Sequence, residues 1–127
     1  MYPEELKYTK EHEWLRLEDG RLARVGVTHY AQHQLGDVVF VELPAAGDAV
    51  SAGQSIAVVE SVKSVSDIYA PVSGRIVEVN SALEDQPELI NEDPYGRGWI
   101  AVIEMDDPGQ ADGLLTAAEY KAHIGEA

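Results

Sequence analysis

Ser55-Ile56-Ala57-Val58-Val59-Glu60-Ser61-Val62-Lys63-Ser64-Val65-Ser66-Asp67-Ile68-Tyr69-Ala70-Pro71-Val72-Ser73-Gly74 is the stretch that decides the fold. Ser55 to Glu60 is rich in β-branched residues and reads as a strand. A second apolar strand-like stretch follows Ser64, and Ala70 to Gly74 is a turn into the next strand. Glu60 to Ser64 therefore falls between two strands, with Lys63 at or near an exposed hairpin tip. Such a tip presents one side chain to other proteins while strands hold its base, which suits a modification site.

Outward from there the chain continues as short strands with turn punctuation. Leu22 to Val27 puts Ala23, Val25 and Val27 on one face. Val38 to Leu43 is β-branched and aromatic, and Pro44 ends it. Arg75 to Asn80 places Val77 and Val79 on the face of Arg75, leaving Ile76 without an apolar partner at Glu78. Trp99 to Met105 puts Trp99, Ala101, Ile103 and Met105 on one side. Two helices interrupt the series. Thr28 caps the first, over Tyr30 to Leu35, with Gly36 just past its end. Thr116-Ala117-Ala118-Glu119 is a capping box, with Leu115 and Tyr120 spaced as a hydrophobic staple. Many short strands with Gly/Pro turns predict a mostly β sandwich or barrel.

The 127 residues suit one domain, with a core over about 6–105 and a C-terminal helical segment over about 114–124. A net charge of −14 argues against nucleic acid and against anionic membrane surfaces, both of which need a Lys/Arg footprint. No apolar run approaches the ~20 residues that span a bilayer. The chain has no cysteine, so it supplies no disulfide, thiolate metal ligand or thiol nucleophile of its own. Its N-terminus has no signal or transit pattern, and a cytoplasmic location is expected.

The lysines are Lys7, Lys10, Lys63 and Lys121, so Lys63 stands alone across the middle of the chain. A Ser-x-x-Lys nucleophile is excluded, because Glu60 holds the serine position. A Schiff-base lysine needs burial, which Ser61 and Ser64 at a tip do not suggest. His29 and His33 are spaced as paired zinc ligands can be, but with no third ligand they read as a solvated helix face.

Glu60-Ser61-Val62-Lys63, followed by Ser66 to Gly74, resembles the lipoyl-attachment segment of the glycine cleavage system H protein family. Four further blocks resemble that family in order. They are Tyr8 to Trp14; Val25 to Thr28 with Ala31-Gln32 and Leu35 to Pro44; Glu78 to Asn80 with Leu89 to Asn91; and Pro94 to Gly96 with Gly98-Trp99. The resemblance implies a barrel-sandwich hybrid of two antiparallel sheets, of the lipoyl/biotinyl kind, with a few short helices. It implies lipoic acid joined to Lys63 as an amide, with Glu60, Val62 and Ser64 read by the lipoate-attaching enzyme.

The resemblance implies a carrier and not a catalyst. Its partners are the P, T and L proteins of the glycine cleavage system, and the chain is expected to be a prokaryotic, cytoplasmic monomer. An aminomethyl group passes from the pyridoxal-phosphate P protein to the T protein. The flavin-dependent L protein then reoxidises the arm. The loaded amine is cationic when protonated, and a carboxylate in a cleft would favour it. Glu13 and Asp67 are the candidates, with solvated surface acids as the alternative reading. Family members often carry histidine at the position of Gln34, a departure that bears on any histidine contact to the arm; His33 is adjacent but points elsewhere. Biotinyl domains place Met on both sides of their lysine, and 2-oxoacid dehydrogenase lipoyl domains are shorter. Neither accounts for Glu11-His12-Glu13-Trp14 or for Pro94 to Trp99.

Overall fold

The computed structural model describes residues 2–125. In chain order the strands and helices are β1 (Lys7–Tyr8), β2 (Glu13–Leu17), β3 (Leu22–Val27), α1 (His29–Leu35), β4 (Val38–Glu42), β5 (Ala49–Val50), β6 (Ser55–Ser61), β7 (Val65–Tyr69), β8 (Gly74–Val79), α2 (Ala82–Asp85), α3 (Leu89–Glu92), β9 (Ala101–Met105) and α4 (Ala117–His123). A 3₁₀ turn over Pro108–Gly113 precedes α4. A six-stranded sheet runs β1-β2-β3-β9-β8-β5 and a three-stranded sheet runs β4-β6-β7, with antiparallel pairing throughout. This is the mostly β, two-sheet arrangement that the sequence predicts.

One apolar core joins Leu15, Val25 and Val27 of β2 and β3 to Val41, Val59, Ile68, Ile76 and Ile103 from the other strands. A second cluster covers the far face of β2, where Trp14 meets Tyr2, Leu6, Tyr8, Ala117 and Tyr120. Trp14 is paired with Gly26, and a Cβ on Gly26 would lie 2.7 Å from the indole ring. Only glycine lets the ring lie flat on the strand. The Trp14 indole N–H donates to the Pro94 carbonyl at 2.9 Å.

The helix ends follow the sequence signals. Thr28 accepts the Ala31 N–H, and Gly36 (φ +78°) ends α1. At Thr116 both halves of the capping box form.

Two readings of strand faces need correction. The ladder between β8 and β9 slips between Ile76 and Glu78, so Val77 is an extra residue and stays exposed while Ile76 is fully buried. The bulge breaks the two-residue alternation that paired Val77 with Val79. The last strand starts at Ala101 rather than Trp99, whose N–H closes a turn onto the Gly96 carbonyl. Trp99 packs with the second cluster instead, and Arg24 lies 4.3 Å over its ring.

Candidate functional site

Lys63 sits in the turn between β6 and β7, and it is exposed. Ser61 organises that turn. Its hydroxyl accepts the N–H of Lys63 at 3.1 Å and of Ser64 at 3.0 Å, and donates to the Ser64 carbonyl at 3.2 Å. A serine that binds its own chain two and three residues on is a local turn device. The Val62 N–H donates to the Asp37 carbonyl at 3.0 Å, which ties the tip to the end of α1.

That anchor is held from below by Asn91 of α3. Its amide donates to the Gly36 carbonyl at 2.8 Å and to Gln32 Oε1 at 3.1 Å, and its Oδ1 accepts the Val38 N–H at 2.9 Å. Asn91 thus satisfies backbone groups on both sides of Asp37. Asn91 lies within one of the family-like blocks, but nothing local in the sequence signals this role, because its backbone partners lie more than fifty residues away.

The hydrocarbon stem of Lys63 lies against Gly36. Among the described residues its ammonium makes no ion pair; Arg24 with Glu18 is the pair that forms. Val62 is 67% exposed and Val65 is 65% exposed, so apolar side chains flank the lysine. Val39 and Phe40 of β4 are exposed as well. Glu60 is half-buried on β6, opposite Phe40 and Val65, and Ser64 is exposed.

A cleft of about 330 Å³ opens beside the turn, between β7 and α1. Glu11, His12, Tyr30, Gln34 and Asp67 line it, together with Ser64 from the lysine turn. A larger depression of about 540 Å³ lies elsewhere, against Arg21, Arg75 and Glu104, and shares no residue with that turn.

The predicted carboxylates have different settings. Asp67 is exposed, lines the cleft, and accepts the Ser55 hydroxyl at 3.0 Å. Glu13 is 2% exposed. Its Oε1 accepts the Thr9 hydroxyl, and its Oε2 accepts the Tyr69 N–H at 3.2 Å. It thereby links the six-stranded sheet to β7, the edge strand of the other sheet. Burial pushes the Glu13 carboxyl up to about 7, against the opposing hydrogen bonds from Thr9 and Tyr69.

Glu11 and His12 are lining residues that sequence reasoning passed over as single residues. His12 has φ +74°, a left-handed backbone unusual outside glycine. Its ring lies 4.8 Å from that of Tyr30, and its Nδ1 lies 2.8 Å from the Tyr120 hydroxyl. Gln34 lines the cleft, whereas His33 stacks near His29 at 6.2 Å. Among the described residues no helix is long and apolar enough to cross a membrane.

Comparison with known proteins gives a consistent picture. The family model described as glycine cleavage H-protein matches residues 6–127. A glycine cleavage system H protein of Coprothermobacter proteolyticus is 55% identical over 123 residues, covering 97% of each chain. The one from Symbiobacterium thermophilum is 56% identical over 124 residues, 98% of this chain and 96% of its own. The crystal structure of a glycine cleavage system H protein from Mycobacterium marinum superposes with a TM-score of 0.89 at 47% identity, covering 97% of this chain and 98% of that one.

Proposed function

The chain belongs to the glycine cleavage H-protein family, a carrier component of the glycine cleavage system, and from that premise we propose that it is the system's lipoyl-bearing shuttle, with Lys63 as the attachment point. The observation that carries this reading is the setting of Lys63: an exposed primary amine, without an ion pair among the described residues, at a turn locked by Ser61 and Asp37.

The residues present fit a chain carried on Lys63. Gly36 offers no side chain beneath the lysine stem, and the adjoining cleft is roomy enough to receive a chain folded back from the tip. When bound as an amide, lipoic acid supplies a disulfide–dithiol couple that carries an aminomethyl group from the P protein to the T protein and is reoxidised by the L protein.

The protein's own residues present, steer and shelter. A rigid turn holds the attachment point at one place, so tethering replaces diffusion with a local effective concentration at each partner. Val62 and Ser64 beside the lysine, with Glu60 at the turn's base, form the surface that the lipoate-attaching enzyme reads. Asp67 and Glu11 supply negative charge along the cleft, which favours a cationic cargo. Glu13 does not line the cleft; buried, it fixes the Tyr69 end of the β7 edge through the Tyr69 N–H. No group in the chain is required to make or break a covalent bond of the substrate, so the role is non-catalytic. We read the working form as a cytoplasmic monomer that docks the P, T and L proteins in turn.

Lys63→Arg tests the reading. Charge and approximate length are kept, so stability should change by no more than about 0.5 kcal/mol. Glycine decarboxylation in a system reconstituted with the other components should be lost. Full turnover with the arginine variant would overturn the assignment.

A further inference from the structure

Thr28 is fully buried, and its hydroxyl oxygen accepts the Ala31 N–H at 3.1 Å. The same oxygen lies 2.8 Å from the Tyr120 hydroxyl, which lies 2.8 Å from His12 Nδ1. Each hydroxyl has one proton to give. The Thr28 proton has one acceptor among the described residues, the Tyr120 oxygen. The Tyr120 proton is then left for His12 Nδ1, which must accept it as a lone pair. A neutral ring with Nδ1 accepting carries its hydrogen on Nε2. A hydrogen on His12 Nδ1 would leave either the Thr28 or the Tyr120 proton without an acceptor among the described residues, in two fully buried side chains, the costly case for a polar group.

We infer that Thr28, Tyr120 and His12 form a one-way hydrogen-bond relay that fixes His12 as an uncharged Nε2–H donor on the wall of the Lys63 cleft. In that form His12 is a positioning residue for an acceptor atom of a chain lying in the cleft, and it adds no positive charge against a cationic end. This role rests on the cleft reading above; the relay itself does not. The C-terminal helix thereby acts on the cleft through Tyr120, whose ring is stacked on Tyr8 with centroids 4.9 Å apart.

The titratable groups facing His12 come from α4, from α1, from its own segment and from the cleft. From α4 come Tyr120 and His123, with ring centroids 5.8 and 6.0 Å away, and from α1 comes Tyr30. Glu11 and Glu13 flank it in sequence, and Asp67 shares its cleft. Burial lowers the His12 pKa and His123 lowers it further, while Glu11 opposes both. The left-handed backbone at His12 is held by its carbonyl, which accepts the Thr28 N–H at 3.1 Å. Thr28 therefore controls both the main chain and the ring of His12.

Two near-isosteric substitutions separate the directions. In Thr28→Asn the amide oxygen still caps Ala31, and the amide N–H donates to Tyr120, so the relay is kept. In Thr28→Asp the carboxylate accepts from both Ala31 and Tyr120, which turns the Tyr120 oxygen toward a hydrogen on His12 Nδ1. Nitrogen-15 spectra of the ring, taken on the chain with Lys63 unmodified, should show the Nε2–H tautomer at neutral pH in wild type and Thr28→Asn. Thr28→Asp should move the hydrogen to Nδ1 and raise the titration midpoint of His12. Tyr120→Phe removes the donor and should leave a mixture of tautomers. It decides the matter should the Thr28 variants fail to fold. A wild-type ring with hydrogen on Nδ1, or one spectrum common to wild type and all folded variants, overturns the relay. In the lipoylated chain the Nε2 resonance should shift relative to the unmodified chain. An unchanged resonance overturns the positioning role, while attachment at Lys63 is read separately by mass.

Discussion

The stem of Lys63 rests on Gly36: a Cβ built on that glycine would stand 3.5 Å from both Cδ and Cε of the lysine. That distance is an ordinary contact, so space is not what demands glycine. The backbone is, because φ +78° with ψ −159° is a region open almost solely to glycine. Gly36→Ala should destabilise the fold by about 1–3 kcal/mol, read by denaturant unfolding. An unchanged midpoint would mean that the end of α1 relaxes freely, contrary to its ties to Asn91.

Asn91 joins α1, the Gly36 that ends it and the first residue of β4 beneath the lysine turn. Asn91→Ala leaves the Gly36 carbonyl and the Val38 N–H short of partners, a loss of about 1–3 kcal/mol. Attachment of lipoate to Lys63 should slow in the same variant, because the Asp37 carbonyl that holds Val62 loses its support. Normal attachment kinetics would separate the turn from this network.

Glu13 gives a pH signature. Its carboxyl ordinarily titrates at 4.5 and is pushed up to about 7 by burial. Between those values the folded chain keeps a proton that the unfolded chain releases. The stability this gives is fully present at the acid end of the window and is lost as pH rises through it. The expected loss is roughly 1–3 kcal/mol. Glu13→Gln should flatten that part of the stability profile. Parallel profiles for the two proteins would contradict the buried, proton-holding carboxyl.

Asp67 is the exposed counterpart. Asp67→Asn should shorten retention of the carried amine about two- to five-fold, the scale of a partly exposed ion pair. Lipoate attachment and reoxidation by the L protein should hardly change, since neither involves the cation. Release at the wild-type rate would return Asp67 to a solvated surface acid.

The strands around Lys63 were legible because β6 is β-branched and its neighbours are turn residues. β2 was not legible: Glu13, Trp14 and Leu15 are all buried, one face on the main core and the other under the tyrosine cluster, so no alternation appears. Neither was the bulge at Val77, where one extra residue shifts the face of those after it. At the site, the tip and its lysine follow from local pattern. The Thr28–Tyr120–His12 contacts do not, because Tyr120 arrives from a helix 92 residues beyond Thr28.

The shuttle role depends on the covalent use of Lys63. Peptide mapping of the protein purified from its own host measures it most directly. A lipoyl mass is expected on Lys63 alone, with Lys7, Lys10 and Lys121 unmodified. A lipoyl group found consistently on one of those three, with Lys63 free, would contradict it.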